Sequence, residues 1–212
     1  MGLVQEERTT REKILDVAEG LFARRGYSGV GMREVAEGVG LRKSSIFHHF
    51  DNKAALYTAV SLRILGMIEH RLVRSLAQGG EPRERLERVI SELVDLLVEH
   101  PNYAKVLLRS LFEDDDLPQE GPEAMAVKTA LAGIMNPFAK LLREGMSAGQ
   151  IRLGSPPHMI LLLVGTIVFP FASGEFGDDL LKGDVFDEAE VRRLKAELLD
   201  LVTTGLAPGA RK

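Results

Sequence analysis

The chain contains no cysteine and no tryptophan, and aromatic residues make up only 6% of its 212 residues. Without cysteine it can form no disulfide, no zinc–thiolate site and no thiol nucleophile. It begins MGLVQEERTTREK, which is rich in charge and lacks the apolar run of a secretory leader. We therefore expect a protein without a signal peptide that works in the cytoplasm.

The sequence also lacks the short motifs that mark common enzyme sites. It contains no P-loop, GxGxxG, GxSxG or HExxH pattern. Of its five histidines, only His48 and His49 are neighbours, and adjacent side chains point about 100° apart on a helix. We therefore expect no catalytic residue, no metal site and no cofactor, and a chain that is not an enzyme.

Only one long stretch carries no charge, MILLLVGTIVFPFA at residues 159–172. A membrane span needs about 20 apolar residues. This stretch is shorter and contains Pro170, so we expect no membrane insertion. A helix that is apolar all round is buried on every side. We expect its partners to be the body of its own chain and a second copy of the chain.

The charge is unevenly distributed along the chain, although the net charge is −4. Residues 1–53 hold nine Lys/Arg against eight Asp/Glu, which leaves 18 against 23 in the remainder. The amino-terminal quarter is therefore slightly basic and the rest is acidic. This distribution permits a small footprint of phosphate contacts, whose affinity falls as the salt concentration rises.

Residues 31–53, GMREVAEGVGLRKSSIFHHFDNK, predict two short helices joined by a tight turn. Gly38 and Gly40 stand where the chain leaves the first helix, and glycine readily adopts the positive φ that such an exit requires. The second helix is predicted from Arg42 to Phe50, with Ile46 and Phe50 on one face. Two helices joined in this way form a helix-turn-helix.

The outer face of the second helix decides between two interpretations. With Ile46 and Phe50 in the core, the remaining side chains are two cations, two hydroxyls, one aromatic and two imidazoles, at Arg42, Lys43, Ser44, Ser45, Phe47, His48 and His49. Cations and hydroxyls of this kind contact phosphates and base edges, and an aromatic packs on a thymine methyl group. The alternative is an ordinary helical hairpin with a polar outer face.

The arrangement TTREKILDVAEGLFARRGYSGVGMREVAEGVGLRKSSIFHHFDNKAALYTAV resembles the amino-terminal domain of TetR-type transcriptional repressors. The matching features are the ILDVAEGLFARRGY helix, the REVAEGVG helix and turn, and a recognition helix that ends in an aromatic-x-His-Phe tract. The resemblance covers residues 9–70. Gly31 and Phe47 depart from it, because the family usually has Thr or Ser at the first position and Tyr at the second.

The resemblance implies a homodimeric repressor that binds a palindromic stretch of double-stranded DNA and is released by a small hydrophobic or amphipathic effector. It implies base or groove contacts from Arg33, Lys43, Ser44 and Ser45. It implies DNA-backbone contacts from Arg42, Phe47, His48 and Lys53. An activator would differ from a repressor only in where its operator lies.

The chain as a whole is expected to be all-α, with about nine helices. Thr9 or Thr10 and Asn52 are predicted helix caps. The helix-turn-helix domain is placed at residues 9–54, with a connecting helix to about residue 77, and the effector-binding and dimerisation domain at 55–205. After a predicted loop, GEFGDDLLKGDVF, a last helix opens at Asp187. The last two helices are expected to form a four-helix interface with those of the second copy.

The candidate effector-binding residues are large apolar side chains of the predicted body helices. They are Leu65, Ile68, Leu97, Tyr103, Leu107, Met135, Phe138 and Phe169. Methionine adapts to irregular cavities, which favours a pocket wall, but plain core is the equal alternative for each residue. A rival for the whole chain is a small helical ligand-binding protein or enzyme whose head no longer binds DNA.

Overall fold

The computed structural model describes residues 9–112 and 120–208, and all regular secondary structure in these ranges is α-helical. The all-α prediction is therefore confirmed. The helices are α1 Thr10–Arg25, α2 Met32–Val39, α3 Lys43–Ile46, α4 Lys53–Ala77, α5 Pro82–Glu99, α6 Pro101–Phe112, α7 Pro122–Ser147, α8 Pro156–Ala172, α9 Glu175–Leu181 and α10 Glu188–Gly205.

The first helix begins and ends on local signals that the sequence displays. The Thr9 side chain accepts a hydrogen bond from the backbone N–H of Glu12, whose carboxylate accepts one from the backbone N–H of Thr9. This reciprocal capping box satisfies two of the donors that every helix start leaves free. At the other end Gly26, at φ 69°, donates to the carbonyl of Phe22.

The head consists of α1, α2 and α3 packed on the first turns of α4. Gly38 lets α2 approach α1 closely, since a Cβ there would lie 2.6 Å from Cγ1 of Val17. Gly40 adopts φ 74° and turns the chain out of α2. Of the two glycines predicted to supply a positive φ, Gly40 does so, whereas Gly38 serves helix packing instead.

The body is built around α4, which packs along α5 and α7. Asn52 caps α4 as predicted, because its side chain accepts a hydrogen bond of 2.8 Å from the backbone N–H of Ala55. Helices α6 and α7 both pack on α8, and α10 packs on α5 and α8. One continuous apolar core runs from the head through α4 into the body.

The described residues contain one helix more than the nine expected, because the stretch predicted to be a loop after α8 contains α9. Gly174, at φ 55°, turns the chain after α8 and precedes the helix. Glu175 and Asp178 lie in the first turn, where the helix dipole favours negative charge. Among the described residues, no single helix has the length and apolarity to cross a membrane; α8 and α9 together do, but they are bent by 88° at the break between them.

Candidate nucleic-acid interface and effector-binding interior

The recognition helix is shorter than the sequence predicted. It spans only Lys43–Ile46, and the prediction that it continues to Phe50 is wrong. After Ile46 the chain tightens into turns, with His48 N–H donating to the carbonyl of Ser45 and His49 N–H to that of Ile46. Such i to i−3 bonds are the usual way in which a helix end closes. The tightening still leaves Ile46 and Phe50 buried together.

These two anchors fix which side chains of the segment face outward. Within it Arg42, Lys43, Ser44, His48 and His49 are exposed and Ser45 is half-buried. Phe47 is 41% exposed, although it is a large apolar side chain. The structure therefore presents the cations, hydroxyls and aromatic of the predicted DNA-binding set at the surface of the head.

Four of the predicted DNA-binding residues, Arg33, Lys43, Phe47 and Lys53, line one open cleft of about 400 Å³ at the start of α2. Gly31, which caps α2, offers no side-chain hydrogen bond to the first amides of the helix. Those amides are left for another acceptor, and the positive end of the helix dipole favours an anion there. The cleft therefore has the electrostatics of a phosphate site.

Lys53 also has a role inside the head. Its Nζ donates a 2.9 Å hydrogen bond to the carbonyl of Tyr27 and lies 4.2 Å from the centroid of the Tyr27 ring. A cation in the first turn of a helix is unfavourable for the helix dipole. The carbonyl and the ring face of Tyr27 offset that cost, because both attract a positive charge. A contact between Lys53 and DNA stays a prediction.

Two ion pairs organise the surface of α2. Arg33 Nε lies 2.8 Å from the Glu37 carboxylate one turn later, and both side chains are largely exposed. Arg25 of α1 pairs with Glu34 at 2.5 Å and ties α2 to the end of α1. Exposed pairs of this kind contribute about 0.2–1 kcal/mol, so Arg33 can exchange Glu37 for a DNA partner at little cost.

The structure brings seven of the eight predicted effector-binding residues into the interior between α4, α5, α6, α7 and α8. Four of them are buried: Leu65, Leu97, Tyr103 and Phe138. Three more are partly buried against the same core: Ile68, Leu107 and Met135. These residues come from four helices, α4, α5, α6 and α7, and they belong to one apolar core.

Phe169 does not belong to this interior, and its assignment as a pocket wall is corrected. It is 53% exposed, and its ring lies edge-on to Phe176 at a centroid distance of 6.5 Å. The residues of α8 that do face the core are Met159, Ile160, Leu163, Ile167, Val168 and Phe171. An apolar stretch with no polar face gives no periodic signal of which side turns inward.

The last three helices expose several large apolar side chains. The large exposed hydrophobic residues there, called here the apolar surface of α8–α10, are Leu161, Leu162, Phe169, Phe176, Leu180, Leu181 and Leu201. Monomeric soluble proteins rarely expose a contiguous apolar patch of more than a few hundred Å². A surface of this composition is typical of a protein–protein interface.

Sequence reasoning missed a buried ionic network at the junction of head and body. Arg63 of α4 donates to Asp16 at 2.7 Å and to Glu19 at 2.5 Å, both on α1. Burial opposes the charge on Arg63, but its bonds to the two carboxylates outweigh that effect and raise its pKa. The partners lie 44 to 47 residues apart in the chain. No local pattern reveals them.

Comparison with known proteins identifies the family. Residues 14–60 match the family model described as bacterial regulatory proteins, tetR family. An uncharacterized HTH-type transcriptional regulator of Mycobacterium tuberculosis is 31% identical over 201 residues, which is 95% of this chain and 89% of the relative. The chain belongs to the TetR family. It is accordingly a DNA-binding transcriptional regulator, as its resemblance to TetR-type repressors implied.

The names of two further relatives state a direction of regulation in one case and a bound ligand in the other. The HTH-type transcriptional activator FasR of Mycolicibacterium smegmatis is 29% identical over 153 residues, which is 71% of this chain and 67% of the relative. The crystal structure of FadR from Bacillus subtilis in complex with stearoyl-CoA has a TM-score of 0.72 at 21% identity. The match covers 92% of this chain and 98% of the FadR chain, and it shows that the two chains share a fold.

Proposed function

We propose that this TetR-family regulator is a cytoplasmic homodimeric repressor whose two heads read a palindromic operator. The exposed set of cations and hydroxyls on α3, held over the buried anchors Ile46 and Phe50, is the observation that carries the proposal. Two-fold symmetry of the protein implies two half-sites whose separation matches that of the heads. The chain has no catalytic role in this proposal.

Within each head, position along the motif assigns the contacts. Lys43, Ser44 and Ser45 at the start of α3 are proposed to reach base edges, together with Arg33 of α2. Arg42, Phe47, His48 and Lys53 are proposed to contact the DNA backbone. The uncapped amides of α2 support the backbone contacts of Phe47 and Lys53, since both residues line the cleft there and an uncapped helix start suits a phosphate.

The homodimer is proposed to form through the apolar surface of α8–α10. Burial of apolar area contributes about 25 cal/mol per Å², so a symmetric contact is the simplest way to cover this surface. The inner sides of α8 and α10 already pack on the body through Phe171, Leu198 and Val202. Each chain would then add α8 and α10 to a four-helix interface, extended by α9.

The effector is proposed to be an amphipathic acyl thioester of coenzyme A, as in the FadR complex with stearoyl-CoA. The apolar interior between α4, α5, α6 and α7 suits an acyl chain, because it is lined by aliphatic, aromatic and methionine side chains. Release of the operator requires that the effector bind better to a conformer whose head spacing no longer fits the half-sites.

The DNA-binding part is tested by a duplex titration. Wild-type protein is used to select operators from a random-sequence pool, and fluorescence anisotropy then gives the dissociation constants. We expect Lys43→Glu to weaken operator binding at least about a hundredfold. Arg74→Glu, the same change of charge at an exposed site of α4 in the body, should leave it within about twofold. A pool that yields no operator, or equal affinities for wild type and Lys43→Glu, favours a helical ligand-binding protein or enzyme with a non-functional head.

The effector is tested separately with three probes: stearoyl-CoA, stearate and coenzyme A. Native mass spectrometry should show one stearoyl-CoA per chain, and the same ligand should lower operator affinity at least about tenfold. Coenzyme A alone should leave operator binding unchanged. Operator binding that ignores all three probes removes the acyl thioester from the proposal and leaves the DNA-binding role intact.

Activation of transcription is the second candidate, because the relative FasR is named an activator. The two roles differ in the position of the operator relative to the promoter. A reporter gene behind the selected operator distinguishes them. Loss of the regulator raises reporter expression if it represses and lowers expression if it activates.

A further inference from the structure

The head is attached to the body at two places. The first attachment is covalent and continuous, since α4 starts in the head at Lys53 and runs to Ala77 in the body. Arg63 of α4 also bonds to Asp16 and Glu19 of α1, so the head is tied to this helix on one side. The second attachment comes from α6, a body helix that packs directly on α1.

Glu19 of α1 is the point where both attachments meet. This carboxylate is almost fully buried, with 9% exposure. It accepts a hydrogen bond from Arg63 of α4 and another, of 3.3 Å, from Nδ2 of Asn102 at the start of α6. A buried carboxylate needs such partners, since an unpaired one would be costly.

Arg109, nearly two turns further along α6, holds the carboxyl end of α1. Its Nε donates to the carbonyl of Ala23 at 3.2 Å and its Nη2 to that of Arg24 at 3.4 Å. Both carbonyls lie in the last turn of α1, where helix carbonyls have no partner within the helix. The negative end of the helix dipole attracts the guanidinium as well. The Arg109 side chain thus donates to carbonyls that would otherwise bond to water at the end of α1.

We infer that Asn102 and Arg109 are positioning residues that fix the orientation of the head relative to the body. Bonds from α6 to two sites along α1 add to the Arg63 bonds from α4 and hold α1 from a second side, and the head spacing of the dimer follows from that orientation. Neither residue touches DNA in this arrangement, so they act through the placement of α3. The inference rests on the proposed binding of two heads to a palindromic operator.

The consequence for DNA binding is a strict requirement for half-site spacing. A rigidly placed pair of heads fits one separation, and an operator lengthened by one base pair moves the second half-site by about 3.4 Å and rotates it about the duplex axis. If the α6 bonds are removed, α1 is held by α4 alone, and the heads can shift far enough to reach either separation. Binding must then fix the orientation of the heads, and this loss of conformational entropy lowers the affinity for the native spacing.

The experiment compares the double variant Asn102→Ala/Arg109→Gln with wild type on the selected operator and on a version lengthened by one base pair at its centre. Wild type should prefer the native spacing at least about thirtyfold. The double variant should bind native spacing about tenfold more weakly and discriminate between the two operators by less than about threefold. Arg85→Gln, which breaks the Arg85–Glu144 pair between α5 and α7 inside the body, is the matched control and should behave as wild type.

A second readout needs neither DNA nor effector. The chain has no native cysteine, so Asp51→Cys in the head and Ala132→Cys in the body accept a dye pair for single-molecule energy transfer. The double variant should broaden the distribution of transfer efficiency, and Arg109→Lys, which keeps the cation, should restore part of the wild-type width. Circular dichroism checks that each variant is folded; Asn102→Ala alone serves if the double variant is not.

The outcomes distinguish the proposed two-headed binding from the positioning role of α6. Wild type that binds no operator, or binds both spacings equally, contradicts the proposed two-headed binding and not the role of α6. Wild type that discriminates, together with a folded double variant that discriminates equally well and gives an unbroadened distribution, overturns the positioning role of Asn102 and Arg109.

Discussion

The exposed surface of the head and that of the last three helices differ in chemistry. Around α3 the exposed side chains are cations, hydroxyls, imidazoles and one phenylalanine, whereas α8–α10 expose a set of leucines and phenylalanines beside the charged residues of α9 and α10. A polar surface is stable in water and can exchange water and ions for a phosphate backbone in a salt-dependent way. An apolar surface is stable only when it stays covered. The first therefore suits a reversible partner and the second a permanent one.

The strongest test of this contrast places a charge in the apolar surface. Leu162→Glu should convert the dimer into monomer, because a carboxylate at the centre of a dry interface loses its solvation and gains no partner. We expect the dimer dissociation constant to rise at least about a thousandfold, which corresponds to about 4 kcal/mol. Sedimentation velocity measures the effect.

The matched control for that change is Val73→Glu. Val73 is also an exposed apolar residue of a helix, but it lies on α4, outside the apolar surface of α8–α10. The control should remain dimeric and folded. A wild-type protein that sediments as a monomer at micromolar concentration would refute the proposed interface directly.

The second test distinguishes the two kinds of contact proposed for the polar surface, those to the DNA backbone and those to base edges. Arg42→Gln should weaken binding to operator and to unrelated duplex by similar factors and lower the slope of log affinity against log salt by about 1 per head. Ser44→Ala should weaken operator binding alone, by about fivefold to tenfold. Anisotropy titrations between 50 and 300 mM salt give both quantities. Equal behaviour of the two variants would show that the assignment by motif position is wrong.

The third test concerns Lys53, which is proposed to contact DNA and also bonds to Tyr27 within the head. Lys53→Met should lower the free energy of unfolding by about 1–2 kcal/mol, because it removes the bond to the Tyr27 carbonyl and the contact with its ring. Lys43→Met should leave stability within about 0.5 kcal/mol, since Lys43 is exposed on α3. Urea denaturation followed by circular dichroism separates them. Equal free energies of unfolding for both variants would mean that the contacts between Lys53 and Tyr27 do not stabilise the fold.

Features set by neighbours in the chain were the ones that the sequence predicted well. The caps at Thr9 and Asn52 depend on residues three positions away, and both are present. Ile46 and Phe50, four residues apart and predicted on one face, are both buried. Gly40 turns the chain as expected. Local physics therefore suffices for the start, the buried side and the end of a well-patterned helix.

Features set by distant parts of the chain were predicted poorly. The end of α3 depends on Ile46 and Phe50 reaching the core, so its length was overestimated. The inward side of α8 depends on which helices cover it, so Phe169 was misplaced. Glu19 has partners 44 and 83 residues away, and neither could be recognised from the sequence. These contacts arise only when the helices have assembled.

The smallest expected effect comes from the phenol of Tyr103, which lies on α6 at the junction of head and body, near Glu19 of α1. Burial raises its pKa above the ordinary value, and the negative charge of Glu19 raises it further. A raised pKa in the folded state means that stability is complete below about pH 10 and falls as the pH rises above it. The difference in unfolding free energy between wild type and Tyr103→Phe should therefore be constant from pH 7 to 9 and shrink between pH 10 and 11. Because Tyr27 and Tyr57 remain in both proteins, their titration largely cancels in this difference. A difference that stays constant to pH 11 would mean that the phenolate of Tyr103 is as well solvated in the folded protein as in the unfolded chain.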